Sequence, residues 1–344
     1  MHAVAARLAG AGSAYQNCDK MNGIEDLRRH FESYLSSLSY AREPMALYDP
    51  ISYTLALGGK RLRPLMALAA CSAFSGDFVS ALPLAGALEI YHNHTLLHDD
   101  VMDNADLRRG RPTVHAKWGD NAAILSGDTM LILAYKQLLS LPPHMLPPVM
   151  AAFTEMALQI CEGQQLDMEF ETRSDVTADD YLGMTRLKTA VFFATALQCG
   201  AKVGGAGDDD AALLYEAGIN FGLAFQLQDD LLDVYGDTLL FGKNTGGDIV
   251  SNKKTYLLIS ALNAASPADR RELEAWMARK TFDAGEKISI FKAVYERTDV
   301  RSSTEARIDA YFAAADEALS SLGLPASEID GLRSLVFSSL HRKM

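Results

Sequence analysis

No stretch of the 344-residue chain is apolar for long enough to span a bilayer, so no transmembrane helix is expected. Cysteine is scarce and dispersed. Cys18, Cys71, Cys161 and Cys199 form no CxxC and no short disulfide-like spacing, which reads as reduced, buried thiols in a cytoplasmic protein. Basic charge is also short, with 32 Lys and Arg against 44 Asp and Glu and a formal charge of −12. Nucleic acid needs a basic face and is excluded as the main partner. A small polyphosphate held through metal ions is not. The opening "MHAVAARLAGAGSAYQNCDK" has Arg7 inside its apolar stretch, which argues against a secretory signal. Residues 1–20 read as a loose extension, and folded structure is expected from Met21 onward.

Alternation at period two is missing as well, which leaves no convincing strand, whereas nearly every long segment has a helical period. Apolar residues recur at threes and fours from Leu84 through Leu88 and Tyr91 to Met102. "DNAAILSGDTMLILAYKQLLSL" opens on Asp120 as an expected cap. "AALLYEAGINFGLAFQLQDDLLDVYGD" is apolar all round, which predicts a helix inside the protein. Ser266 followed by Pro267 marks another helix start. The prolines of "LPPHMLPP" (141–148) could pass for a linker, but the chemistry below needs residues from both sides of them. The fold class read from the sequence is all-α, with residues 21–344 as a single domain.

Paired aspartates then need sorting. Asp179 and Asp180 follow Thr177, and Asp208 to Asp210 precede "AALLYEAG"; both fit the first turn of a helix, where capping and the macrodipole suffice. "DDVMD" (Asp99, Asp100, Asp103) and "QDDLLD" (Asp229, Asp230, Asp233) lie instead at the C-terminal ends of long apolar helices, where the dipole disfavours carboxylates. At i, i+4 the outer aspartates share a face, with the middle one alongside. Two such faces across a cavity offer hard oxygen ligands to several divalent ions, most naturally Mg²⁺. One DDxxD is a weak signal; two in one helical chain are a strong one.

Such a site calls for an anion, and basic residues stand beside both motifs. "GGKRLRP" places Lys60, Arg61 and Arg63 after a glycine pair and before a helix expected near Pro64, a setting that suits a diphosphate. Arg108 and Arg109 follow the first acidic motif, Lys188 and Thr189 interrupt an apolar helix, and Lys243 and Lys253 follow the second motif. Any one alone reads as a surface charge. Their placement changes that reading.

With "GGKRLRP", "HDDVMDNADLRRGRPT", "GQQLD", "KTA", "FQLQDDLLD" and "GKNTGGDIVSNKKT" in this order over roughly residues 50–260, the chain closely resembles the trans-isoprenyl diphosphate synthases of the polyprenyl synthetase family. The resemblance implies an isoprenoid-synthase-type bundle of helices around a deep central cavity, assembled as a homodimer. It implies Mg²⁺, about three ions per active site with Mn²⁺ as a substitute, on Asp99, Asp103 and Asp229 with Asp100, Asp230 and Asp233 nearby. Arg108, Lys188, Thr189, Gln226, Lys243 and Lys253 match positions that hold an allylic diphosphate (dimethylallyl, geranyl or farnesyl). Lys60, Arg63, His92 and Arg109 match those that hold isopentenyl diphosphate.

The chemistry agrees with the residues. Metal and cationic side chains stabilise departing diphosphate, and a dry apolar cavity protects the allylic cation left behind. Asp99, Asp103, Asp229 and Lys188 are the expected catalytic residues. No nucleophile triad is required, and His98 reads as structural rather than as a base. Two other readings stand beside this one. A class I terpene cyclase would carry an Asn/Ser/Glu motif in place of "QDDLLD" and would not need Lys60 and Arg63. A non-catalytic homologue usually loses one aspartate motif, and this chain has both. Thr95, His94 and Tyr91, four, five and eight positions before Asp99, are expected to form the floor that limits product length. Small Thr95 and the plain DDxxD spacing favour geranylgeranyl diphosphate (C20), with farnesyl diphosphate (C15) second.

Overall fold

Helix starts follow the capping chemistry of the sequence. Thr177 and Asp180 form a reciprocal capping box at the head of one helix, and the Ser266 side chain caps another directly before Pro267. The Asp120 expectation shifts by one residue. Gly119, at φ 88°, is the N-cap, and Asp120 is the first helical residue, placed where its charge suits the dipole.

The computed structural model describes residues 23–236 and 245–338. The N-terminal extension over residues 1–20, Cys18 and Lys243 lie outside them. In chain order the helices are α1 (Ile24–Ser37), α2 (Met45–Ala56), α3 (Leu62–Ser75), α4 (Leu82–Met102), α5 (Val114–Trp118), α6 (Asp120–Leu138), α7 (Leu146–Thr172) and α8 (Ala178–Thr185). A π-helical turn (Arg186–Ala190) joins α8 to α9 (Val191–Val203), and α10 (Asp208–Tyr235) follows. The chain closes with α11 (Gly247–Val250), α12 (Tyr256–Ala264), α13 (Pro267–Met277), α14 (Ala284–Arg297), α15 (Val300–Ser320) and α16 (Ala326–Ser338). The all-α expectation holds, apart from a two-residue ladder of β1 (Leu107–Arg108) with β2 (Arg111–Pro112).

Packing places α4 against α6, α9 against both α3 and α10, and α10 against α15. The apolar segment expected inside does lie inside, because α10 buries residues on every side, Leu214, Ala217, Phe221, Ala224, Leu227 and Leu231 among them. The buried side chains form one connected cluster that runs across the proline segment. Among the described cysteines, Cys71 and Cys199 are buried as expected, but Cys161 is exposed.

Candidate active site

The two long helices end beside one cavity of about 620 Å³, lined from the start of α3, from α4, α7, the π-helical turn and α10. Asp99 and Asp229 both lie on its wall, as do Lys60, Arg63, His92, Arg108, Arg109, Lys188, Thr189 and Gln226. Residues more than 160 positions apart in sequence are thus brought to one place. Tyr91, His94 and Thr95 line the same cavity.

The basic loop owes its geometry to Arg61 and to a pair of glycines. Arg61 caps α3 in the left-handed region, at φ 53°, and turns its guanidinium inward to Glu89, to Glu32 (2.9 Å) and to the Leu55 carbonyl (3.0 Å). It is therefore a buried strut whose charge is already matched by Glu89 and Glu32. The Arg63 guanidinium lies over Phe192 and Phe193, 4.6 and 4.3 Å from the ring centroids. Its Nε is buried without a hydrogen-bond partner, and burial pushes its pKa down to about 10, against the pull of Glu89 and Asp229. An unpaired buried donor on a cationic side chain at a cavity wall fits an incoming anion.

Arg108 and Arg109 are presented by a hairpin the helical pattern did not reveal. Arg109 and Gly110 both take positive φ (53° and 73°) between the paired Arg108 and Arg111, the geometry of a tight two-residue turn. Arg109 reaches back to donate to the Gly58 carbonyl, and an added Cβ at Gly59 would stand 2.8 Å from its guanidinium. The glycine pair is what admits this arginine.

The acidic motifs separate their members. Asp99 is half-buried; burial and then Asp103 and Asp100 push its carboxyl up, while Lys188 and Arg108 pull it down. Asp103 closes α4 and stays exposed. The middle aspartates do not stand alongside as the sequence reading had them. A helix turns about 100° per residue, which carries Asp100 and Asp230 into the protein, at 4% and 2% exposure. Asp100 accepts from Arg108 Nε at 2.7 Å, and Asp230 accepts from Tyr181 (2.6 Å) and Gln226 (3.1 Å). Burial pushes Asp230 up to about 7. Asp233 accepts the Asp248 backbone N–H at 3.0 Å and so anchors the start of α11.

Lys188 and Thr189 sit on the π-helical turn, a rare widening of the helix that redirects side chains. α7 presses on this turn through Gly163, where an added Cβ would come within 2.4 Å of the Lys188 backbone nitrogen. Lys188 donates to Asp167, and Thr189 donates to Gln226 at 3.4 Å. Asp167, Gly163, Tyr181 and Asp248 are site residues that sequence reasoning left unassigned. "GQQLD" carried the first two in plain view and "GKNTGGDIVSNKKT" carried Asp248; nothing local marks Tyr181. Lys253 is exposed beside the acidic cluster; crowding lowers its pKa, but Asp248, Asp167, Asp230 and Asp103 outweigh this and raise it.

His98, with Nε2 at 3.1 Å from the Ile124 carbonyl, is tied to α6. His94 is tied there too, Nδ1 to the Gly127 carbonyl at 2.9 Å. Burial, then His98, pushes His94 down from 6.5 to about 4. Between those values the unfolded chain holds a proton that the folded one lacks. The stability His94 contributes is complete above pH 6.5 and is lost as pH falls, by at most about 3 kcal/mol. His94→Phe is expected to flatten the decline in Tm across this window. Parallel Tm curves for variant and wild type would refute it.

The fit of divalent metal can be judged from the donors. Among the described residues no three Asp, Glu, His or Cys groups converge into a cage. Asp99 and Asp103 repel each other across one turn, and Asp233, Asp167 and Asp229 all raise Asp248. Hard oxygens with excess negative charge suit Mg²⁺, which takes its remaining ligands from water and phosphate.

Comparison with known proteins agrees with this geometry. Residues 44–294 match the family model described as polyprenyl synthetase. A geranylgeranyl diphosphate synthase from Methanosarcina mazei is 38% identical over 289 residues, 82% of this chain and 83% of the relative. A geranylfarnesyl diphosphate synthase from Natronomonas pharaonis is 34% identical over 320 residues, 83% of this chain and 93% of the relative. The crystal structure of a geranylgeranyl pyrophosphate synthase superposes with a TM-score of 0.89 at 41% identity, covering 92% of this chain and 98% of the other. The chain belongs to the polyprenyl synthetase family. It is a trans-prenyltransferase of the isoprenyl diphosphate synthase type, an enzyme of prenyl chain elongation.

Proposed function

We propose that the enzyme joins isopentenyl diphosphate head-to-tail to dimethylallyl, geranyl or farnesyl diphosphate and releases mainly geranylgeranyl diphosphate. The observation that carries this reading is one cavity whose wall holds Asp99 and Asp229, one from each aspartate motif, together with the buried Tyr91. The geranylgeranyl diphosphate synthases among its relatives support the length.

In this reading Asp99, Asp103 and Asp229 are the main metal ligands. Asp233, which also holds the start of α11, would be a further ligand, and Asp100 and Asp230 act from behind by orienting Arg108 and Gln226. Bound Mg²⁺, about three ions per site with Mn²⁺ able to substitute, supplies a Lewis acid to the leaving diphosphate. Lys188, Thr189, Gln226, Arg108, Lys243 and Lys253 hold the allylic diphosphate and offset its growing charge. Lys60, Arg63, His92 and Arg109 hold isopentenyl diphosphate with its double bond toward the allylic C1. Leu96, Ile160, Phe192 and Phe225 keep water from the cation. The proton released after attack passes to the departed diphosphate.

No helix of the described residues is long and apolar enough to cross a membrane. We place the enzyme in the cytoplasm, with residues 21–344 acting as one domain. Ile124, Leu125 and Ile132 on α6 and Leu158 on α7 are large apolar side chains left exposed, and a homodimer through this face would cover them.

The test is direct. Incubation with dimethylallyl and isopentenyl diphosphates and Mg²⁺ is expected to yield an all-trans product that is mainly C20. A cyclic hydrocarbon would point to a cyclase, and no turnover at all to a non-catalytic subunit.

A further inference from the structure

Lys287 is a lysine with no exposed surface, on a helix that carries none of the motifs. Its Nζ donates to the Val250 carbonyl at 2.9 Å and to Asn252 Oδ1 at 2.7 Å. The rings of Phe282 and Phe291 lie 4.4 and 5.6 Å from it. Both acceptors are neutral oxygens, and burial pushes the ammonium below its usual pKa. Sequestering an ammonium this way is costly, and a core that needed only volume would be better served by an apolar side chain.

What the ammonium holds is a short segment suspended between two anchors. At one end, Asp233 of the second acidic motif accepts the Asp248 N–H at the start of α11. At the other, α11 ends, and Val250 presents a carbonyl with no helical successor, a position that favours a cation. Asn252 then turns the chain through the left-handed region, at φ 60°, and its amide also donates to the Met277 carbonyl at 3.1 Å. The next residue is Lys253, whose N–H closes back on the Asp248 carbonyl at 2.9 Å. Lys253 follows directly on this left-handed turn, with its side chain exposed and its ammonium favoured by Asp248, Asp167 and Asp230.

We infer that Lys287 is a positioning residue for catalysis: it latches the turn at Asn252 and thereby aims Lys253 at the allylic diphosphate. The inference rests on the reading of Lys253 given above. Substrate never touches Lys287. Its effect passes through one backbone turn, so it should fall on one substrate and not on the other.

Lys287→Met keeps the apolar stem and removes the donors. With melting temperature monitored and assays run well below it, the variant is expected to raise the KM for the allylic substrate and lower kcat. The combined loss in kcat/KM should be about 10–100-fold, as for a misplaced substrate-holding group. The KM for isopentenyl diphosphate should stay within about twofold. Lys253→Ala should show the same selective loss, and the double variant should be no worse than Lys253→Ala alone. Should Lys287→Met fail to fold, Asn252→Gly decides, because glycine keeps the left-handed turn while removing the acceptor; it should reproduce the pattern in milder form. Equal losses for both substrates, additivity with Lys253→Ala, or unchanged kinetics would overturn the latch. A selective loss in Lys253→Ala with none in Lys287→Met or Asn252→Gly defeats the latch alone. A silent Lys253→Ala removes the reading of Lys253 and the latch with it.

Discussion

Replacing Asp99 or Asp229 with alanine is expected to lower kcat by at least about 10²–10³-fold, roughly the loss when one group that stabilises a transition-state charge is removed. Stability should not fall with it. Asp99 is half-buried, and its carboxyl is pushed up by that burial and by Asp103 and Asp100. Removing it from the metal-free protein relieves repulsion, so Tm should hold or rise. Wild-type enzyme should gain thermal stability when Mg²⁺ and a diphosphate are added together, and both variants should lose much of that gain. Asp209→Ala is the matched control. Its carboxylate is exposed in the first turn of α10, far along the same helix from the motif, and the change should be nearly silent. Near-wild-type turnover of either variant at modest Mg²⁺ would mean that the two motifs do not act as a pair.

How much of this was legible before the structure depends on what kind of signal each feature leaves. Helical period and caps are local, so α8 and α13 begin where Thr177 and Ser266 said they would. The aspartate motifs were legible because their position at helix C-termini contradicts the dipole, and only a function resolves the contradiction. Local pattern could not tell Asp99 from Asp100, since which carboxylate faces the cavity is set by the rotation of α4 against α6 and α9. It could not tell Arg61 from Arg63 either. Arg61, at its left-handed cap, is paired with Glu89 and Glu32, while the Arg63 guanidinium lies over Phe192 and Phe193 with no carboxylate of the described residues bound to it. The hairpin at Arg108–Arg111 has two residues per strand, too few to show a period. The π-helical turn under Lys188 packs against α7 at Gly163, and Lys287 bonds to Asn252 across a separation of 35 residues. These are tertiary facts, and a single sequence carries no trace of them.

Product length should follow the floor of the cavity, where the second large effect is expected. Tyr91 lies eight positions before Asp99 on α4, about 12 Å along the axis at ~1.5 Å per residue. Its ring is wedged edge-on between Phe153 and Phe192, at 5.3 and 5.5 Å, and tilts against His94 at 5.4 Å. Its hydroxyl donates to the Ala157 carbonyl on α7 at 3.3 Å. In the proposed reading this ring, held by three neighbouring rings and a hydrogen bond, is the stop for the growing chain. Thr95, nearer the aspartates, is small, and its hydroxyl is turned back to the His92 carbonyl at 2.8 Å; in the same reading it does not block the chain. His94 stands between, held against Gly127. Tyr91→Ala should therefore open the space in front of Phe153 and move the main product beyond C20. It should also cost about 3–5 kcal/mol as a large buried ring is lost, so products must be sized below the lowered Tm. His94→Phe should act in the other direction, filling the wall one turn closer to the aspartates and shifting the main product to C15. An unchanged product distribution in both variants would place the floor on another helix, with Ile160 and Cys161 of α7, which line the same cavity, the next positions to change.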